Sequence, residues 1–158
     1  DKMSYWKLFF KIYKYKLDTT YRAKSHFEEG LVNFYYGFQL SKLPNIKICL
    51  SHAGGYLPFA MGRFDHAYDT RKDVSDNLKS KPSDYLRNFY YDTITHSDTG
   101  LKQVIEIIGS DRILLGTDFP ADMGVKKPLK WIESINFSED IKNNICSVNA
   151  ENALGLNQ

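Results

Sequence analysis

The order of segments in this chain of 158 residues predicts an α/β fold built on parallel strands. Two observations carry that reading. Short β-rich runs alternate with longer stretches of helical periodicity. Each β-rich run also ends at a polar residue with reactive chemistry: His52 after the first, Asp92 and then His96 after the second, Asp118 after the third. In parallel sheets and β/α barrels functional groups gather at the C-terminal ends of strands, so this placement fits the same architecture.

The elements follow in order. Residues 4–16 read as a helix on periodicity, and Asp18-Thr19-Thr20 is a cluster of N-cap residues. A second helix is expected through about Gln39, with Leu31, Phe34, Tyr35 and Phe38 on its apolar face. Pro44-Asn45 breaks the pattern. Ile46 to Leu50 is a short strand, closed by Ser51-His52-Ala53-Gly54-Gly55, and Leu57 to Tyr68 is a helix. Residues 69–82 are polar and read as a loop, after which Pro82 to Arg87 starts a short helix. Phe89 to Asp92 is the second strand. Thr99 to Gly109 is a helix with Leu101, Val104, Ile105 and Ile108 at helical spacing and Gly109 at its end. Arg112 to Gly116 is the third strand, leading into Thr117-Asp118-Phe119-Pro120. Residues 127–135 and 138–147 are two closing helices, the second capped by Ser138.

Composition narrows the function classes. The chain is 42% hydrophobic and 25% charged, ordinary for a soluble globular protein. Aromatics reach 15%, with 11 Tyr and 10 Phe, a content that suits either stacking on nucleic acid or packing surface. A net charge of +2 and the lack of a basic stripe disfavour a nucleic-acid partner. Lys7, Lys11, Lys14 and Lys16 alternate with Trp6, Phe9, Phe10, Ile12, Tyr13 and Tyr15. Such a pattern can lie on a membrane surface, but an amphipathic helix with a solvated lysine face is the plainer reading. No stretch approaches the roughly 20 apolar residues of a membrane span. Cys49 and Cys146 lack metal-site or disulfide spacing. They read as two buried thiols, which points to a reducing, cytoplasmic compartment.

Each candidate residue has a functional and a plain reading. His52 sits after an apolar strand and before small residues that let backbone and substrate approach. Its imidazole can bind a metal or carry a proton, or simply cap the next helix. Asp118 can ligate a divalent cation or act as a base, or be a turn aspartate. His96, four residues past Asp92, could orient a metal ligand from behind or be a helix-start polar residue. Arg63 could clamp a substrate carboxylate or be a solvated helix arginine. His26 and His66 lie in helical patterns and read as structural.

In combination these segments are far more specific. His52-Ala-Gly-Gly-Tyr-Leu-Pro-Phe-Ala-Met-Gly-Arg63, Tyr90-Tyr-Asp-Thr and Gly116-Thr-Asp-Phe-Pro120 resemble the amidohydrolase superfamily. Within it they are similar to the family typified by aminocarboxymuconate semialdehyde decarboxylase, with its γ-resorcylate-type and other aromatic-acid decarboxylases. Pro82-Ser-Asp-Tyr-Leu-Arg, Asp111-Arg-Ile-Leu-Leu-Gly and Asn149-Ala-Glu-Asn-Ala-Leu add to the match, which runs from about Asp18 to Leu156.

The resemblance implies the C-terminal portion of a (β/α)8 TIM-type metal-dependent hydrolase barrel. Residues 1–158 would be one partial domain holding about strands six to eight. It implies a divalent metal, zinc first and manganese as the alternative, held in part by Asp118. His52 would assist at the metal as the catalytic proton carrier. Arg63 would bind the substrate carboxylate of a neighbouring subunit, which implies a homodimer, and Asp92 and His96 would form a second shell. The implied reaction is non-oxidative decarboxylation of a small unsaturated or aromatic carboxylic acid. Metal-dependent hydrolysis of a lactone, ester or amide is the alternative. The family's His-x-His pair and its further strand-end histidine have no counterpart here. A closed barrel needs eight strands and roughly 250 residues. The expectation is therefore a chain incomplete as an enzyme: a fragment, half of a split protein, or a decayed copy. A third alternative is a catalytically silent interaction module, with Arg63 and the aromatic N-terminal helices at a dimer interface.

Overall fold

The computed structural model describes residues 47–76 and 78–156. The two helices expected before residue 40, with His26, lie outside the described residues. Among the described residues three strands form one sheet: β1 (Ile48–Leu50), β2 (Phe89–Asp92) and β3 (Ile113–Leu114), in the order β1-β2-β3. Both pairings are parallel, with Ile48 opposite Phe89 and Tyr91 opposite Ile113. A parallel neighbour requires a crossover, and crossovers between twisted strands are right-handed. Successive right-handed crossovers with no reversal of strand order put their helices on one face. That is the wall of a β/α barrel; a doubly wound sheet reverses at a switch point.

Strand alternation sorts the side chains accordingly. Ile48, Leu50, Phe89, Tyr91 and Ile113 share the helix-covered face and join one hydrophobic core. Helix α1 (Met61–Thr70) adds Met61, Phe64 and Ala67 to it. After the short turn α2 (Lys72–Ser75), helix α3 (Asp98–Ile108) adds Leu101, Val104 and Ile108. Tyr91 and Ile113 are both 0% exposed. Complete burial of an apolar side chain of this size contributes about 1.5–3 kcal/mol. The Tyr91 hydroxyl is satisfied inside the core, donating to the Leu86 carbonyl at 2.9 Å. Burial pushes its phenol well above the usual range.

The chain closes with α4 (Pro128–Ser134), α5 (Glu139–Asn143), a π-helical segment Asn144–Val148 and α6 (Asn149–Leu154). The expected Ser138 cap is present, its side chain accepting from Ile141 N–H at the start of α5, and Ser97 caps α3 in the same way, accepting from Gly100 N–H. Buried Asn149 donates through Nδ2 to the carbonyls of Ser110 and Ile113, at 2.7 Å each, and so clasps the entry to β3. Asn149→Ala leaves both acceptors without this donor. Stability is expected to fall by about 2–3 kcal/mol, read as a lower urea midpoint with an unchanged slope.

Three expectations are corrected. The polar stretch 69–82 is not all loop: α1 continues to Thr70 and α2 follows. Buried Val74 anchors that turn, and the Arg71 guanidinium grips Asp73 with bonds of 3.2 and 2.7 Å. The third strand is shorter than residues 112–116, because the N–H groups that would extend it turn elsewhere. Leu115 N–H donates to the Ile145 carbonyl at 3.2 Å and Gly116 N–H to Thr93 Oγ1 at 3.1 Å. The closing helical run extends beyond residue 147, through Leu154.

The cysteines differ from expectation as well. Cys146 is half-buried, but Cys49 is exposed, because alternation places it on the face away from the helices. Protein packed around its sulfur, and then the Asp92 carboxylate, push the Cys49 thiol up to about 11. Two units of pKa remove about 99% of the thiolate at neutral pH, while the more basic sulfur regains roughly tenfold in nucleophilicity. Iodoacetamide is therefore expected to modify Cys49 about tenfold more slowly than a model thiol at pH 8. Its rate should keep rising past pH 10, as followed by mass spectrometry.

Candidate active site

The parallel ladder places the C-terminal ends of all three strands along one edge, and His52, Asp92 and Asp118 lie there. His52 leaves β1 through a tight turn in which Gly54 N–H donates to Ser51 O at 3.0 Å and Gly55 N–H to His52 O at 2.8 Å. Asp118 leaves β3 through a loop tied by Val125 N–H to Thr117 O and Ala121 N–H to Asp118 O, both 2.8 Å. The two turns converge: His52 Nε2 lies 3.5 Å from Asp118 Oδ1. Both side chains keep contact with solvent, at 60% and 30% exposure, so the pair forms an accessible site rather than a buried strut.

The backbone is strained at this edge. Non-glycine residues with positive φ among the described residues are His52 (54°), Ala53 (50°), His96 (52°) and Asp118 (57°), each just past a strand end. Such conformations cost about 1–3 kcal/mol each and persist where the surroundings over-determine them. Close packing contributes. A Cβ on Gly54 would lie 2.8 Å from the Tyr91 ring, at a φ of +77° that favours glycine. Gly54→Ala is expected to cost about 2 kcal/mol or more and to shift the His52 turn, because both the strain and the clash act there. The His52 amide resonance and the melting temperature would report the two effects separately.

The two aspartates, indistinguishable by residue type, have different roles in the structure. The Asp92 carboxylate is engaged on both oxygens: Oδ2 accepts His52 N–H at 3.0 Å, and Oδ1 accepts Ala53 N–H and Ile94 N–H at 2.9 Å each. Among the described residues no hydrogen bond is directed at the Asp118 carboxylate, whose contact is His52. Asp118 thus keeps both oxygens free of backbone, whereas both oxygens of Asp92 are engaged by backbone amides. A carboxylate beside an imidazole is a donor set that suits zinc or manganese. These residues fit part of a metal shell. Among the described residues no group of three His, Cys, Asp or Glu is placed to complete one.

The remaining sequence-derived candidates are placed less tightly. Arg63 lies on the exposed side of α1. His96 is exposed beyond β2, and among the described residues no hydrogen bond or ion pair joins it to His52, Asp92 or Asp118. One contributor went unread: Thr93, 0% exposed, whose hydroxyl accepts Gly116 N–H and stitches the end of β2 to that of β3. A threonine after a strand aspartate carries no signal by itself; its partner lies across the sheet.

Fold and site together define a β/α-barrel wall with a metal-competent carboxylate and an imidazole at its C-terminal edge. Residues 37–156 match the amidohydrolase family, and the chain belongs to it. It is 35% identical over 129 residues to the 2-amino-3-carboxymuconate-6-semialdehyde decarboxylase of Dictyostelium discoideum, covering 80% of this chain and 36% of that protein. It is 36% identical over 121 residues to the γ-resorcylate decarboxylase of Polaromonas sp., covering 74% of this chain and 36% of that one. The crystal structure of a dihydroxybenzoic acid decarboxylase from Polaromonas sp. JS666, with bound manganese and the inhibitor 2-nitroresorcinol, matches with a TM-score of 0.69 at 32% identity, covering 84% of this chain and 40% of that one. The chain spans about 36% of the length of the curated relatives it matches, and its fold is a portion of the amidohydrolase barrel. Among the described residues no helix is long and apolar enough to cross a membrane.

Proposed function

We propose that this protein acts as a metal-dependent carboxy-lyase, removing carbon dioxide without oxidation from an unsaturated or aromatic carboxylic acid. The observation that carries this is the convergence of His52 and Asp118 at 3.5 Å, with Asp118 open to a cation while Asp92 is occupied. The activities of the matched decarboxylases support the reaction class. Asp118 would be one ligand of a divalent metal. Manganese has a precedent in the dihydroxybenzoic acid decarboxylase, and zinc suits the same donors. The bound metal would polarise the substrate. His52, accessible and beside Asp118, would then deliver a proton to the carbon that loses carbon dioxide. The electron pair of the broken C–C bond becomes the new C–H bond, so atoms and charge balance. Arg63, on the exposed side of α1, would bind a substrate carboxylate, supplied across a homodimer. Asp92 and His96 would line the site behind the reacting groups. Residues 1–158 would form one partial barrel domain around strands six to eight, working in the cytoplasm with a small acid as partner and with neither nucleic acid nor membrane.

The test is direct. The complete, metal-loaded protein is offered a panel of dihydroxybenzoic acids and unsaturated amino-carboxy acids, with trapped carbon dioxide as the readout. In parallel, lactones and esters are followed by base uptake. Carbon dioxide from at least one acid supports the lyase. Base uptake on lactones with no carbon dioxide from any acid establishes the hydrolase instead, and no turnover with no bound metal establishes a silent module.

A further inference from the structure

We infer that Asp92 is the positioning residue of the site: its carboxylate holds the His52–Ala53 backbone in the left-handed turn that points the imidazole at Asp118. The inference rests on the proposed role of His52. His52 and Ala53 are consecutive non-glycine residues with φ of 54° and 50°, an arrangement an isolated turn would not hold. Asp92 reaches them from the neighbouring strand and accepts both amides in sequence, His52 on Oδ2 and Ala53 on Oδ1. The same Oδ1 accepts the amide of Ile94, tying the carboxylate to its own chain just past β2, so the clamp cannot swing freely. On the other side Gly116 leaves room for it. A Cβ there would lie 2.9 Å from Asp92 Cβ and 3.4 Å from its carboxyl carbon. The chain leaving β3 therefore carries a glycine where Asp92 must pass and, two residues later, the aspartate that His52 must meet. Charge-assisted bonds to backbone amides are about twice as strong as neutral ones, which suits a clamp that opposes backbone strain.

Two substitutions in the complete, metal-loaded enzyme probe the clamp from opposite sides. Asp92→Asn can keep Oδ1 on Ala53 and Ile94, but it then turns an amide donor toward His52 N–H, so the loss falls on His52. Gly116→Ala keeps every hydrogen-bonding group and displaces the carboxylate sterically. Each is expected to lower kcat about 10–100-fold, the usual effect of losing an orienting partner, with KM and metal content within about twofold. The double variant should be no worse than the poorer single one, because both disturb one contact. In protein labelled with 15N at histidine, the ring and amide resonances of His52 should move in both variants, while those of His66 stay in place. Unchanged His52 resonances in folded Asp92→Asn or Gly116→Ala protein overturn the inference. So does a kcat within twofold of the parent in an enzyme that His52→Gln disables. If the resonances move but His52→Gln itself leaves kcat intact, the clamp stands and the assignment of His52 as proton carrier is what fails.

Discussion

Asp118→Ala in the complete enzyme is expected to remove most of the bound metal and to lower kcat about 10³-fold or more. Metal polarisation is worth several kcal/mol at the transition state, and each 1.36 kcal/mol is a factor of ten. The effect should be specific to this aspartate. Among the described residues the Asp118 side chain makes no hydrogen bond that secures the fold, and its loop is held by backbone bonds, Val125 N–H to Thr117 O and Ala121 N–H to Asp118 O, that the substitution leaves in place. Removing the side chain should thus leave the melting temperature of the metal-free protein within a few degrees of the parent. Metal content by mass spectrometry and kcat with excess manganese or zinc check the expectation. Full metal occupancy with undiminished turnover would falsify the assignment of Asp118.

The difference between Asp118 and Asp92 also shows where sequence reading stops. Both were legible as strand-end carboxylates, because the β-rich runs, the flanking helices and the parallel architecture follow from local pattern. What separates them is where their oxygens go, and the partners of Asp92 lie about 40 residues away, at His52 N–H and Ala53 N–H. The same holds for the end of β3. Residues 112–116 have the composition of a longer strand, yet Leu115 N–H is taken by Ile145 O across more than a helix of intervening chain. In the polar stretch after α1 a single apolar residue, Val74, decides that a helical turn packs down. Periodicity cannot register one residue. Cys49 was misread for a related reason: an apolar run looks buried on both faces, and only the strand register shows that alternate residues face away from the helices. The grouping of His52 with Asp118 is an expectation from the resemblance and their shared position at strand ends; the structure sets Nε2 of one 3.5 Å from Oδ1 of the other.

His52→Gln is the complementary experiment, with a different signature. A positioned general acid contributes about 10²–10⁴ in rate, so kcat should fall by that factor while the metal stays bound. Glutamine keeps a polar side chain of similar reach, and the turn is fixed by the His52 backbone, through its amide to Asp92 and its carbonyl to Gly55 N–H, both of which survive the substitution. The fold and the Asp118 loop should therefore be unaffected, and the loss can be ascribed to the imidazole. The comparison that matters is metal content against turnover across the two variants. Asp118→Ala should lose both, and His52→Gln turnover alone. If His52→Gln sheds the metal as well, the imidazole 3.5 Å from Asp118 Oδ1 is itself a ligand. The proton that replaces carbon dioxide would then have to come from another group at the strand ends, with His96, exposed beyond β2, the next to substitute.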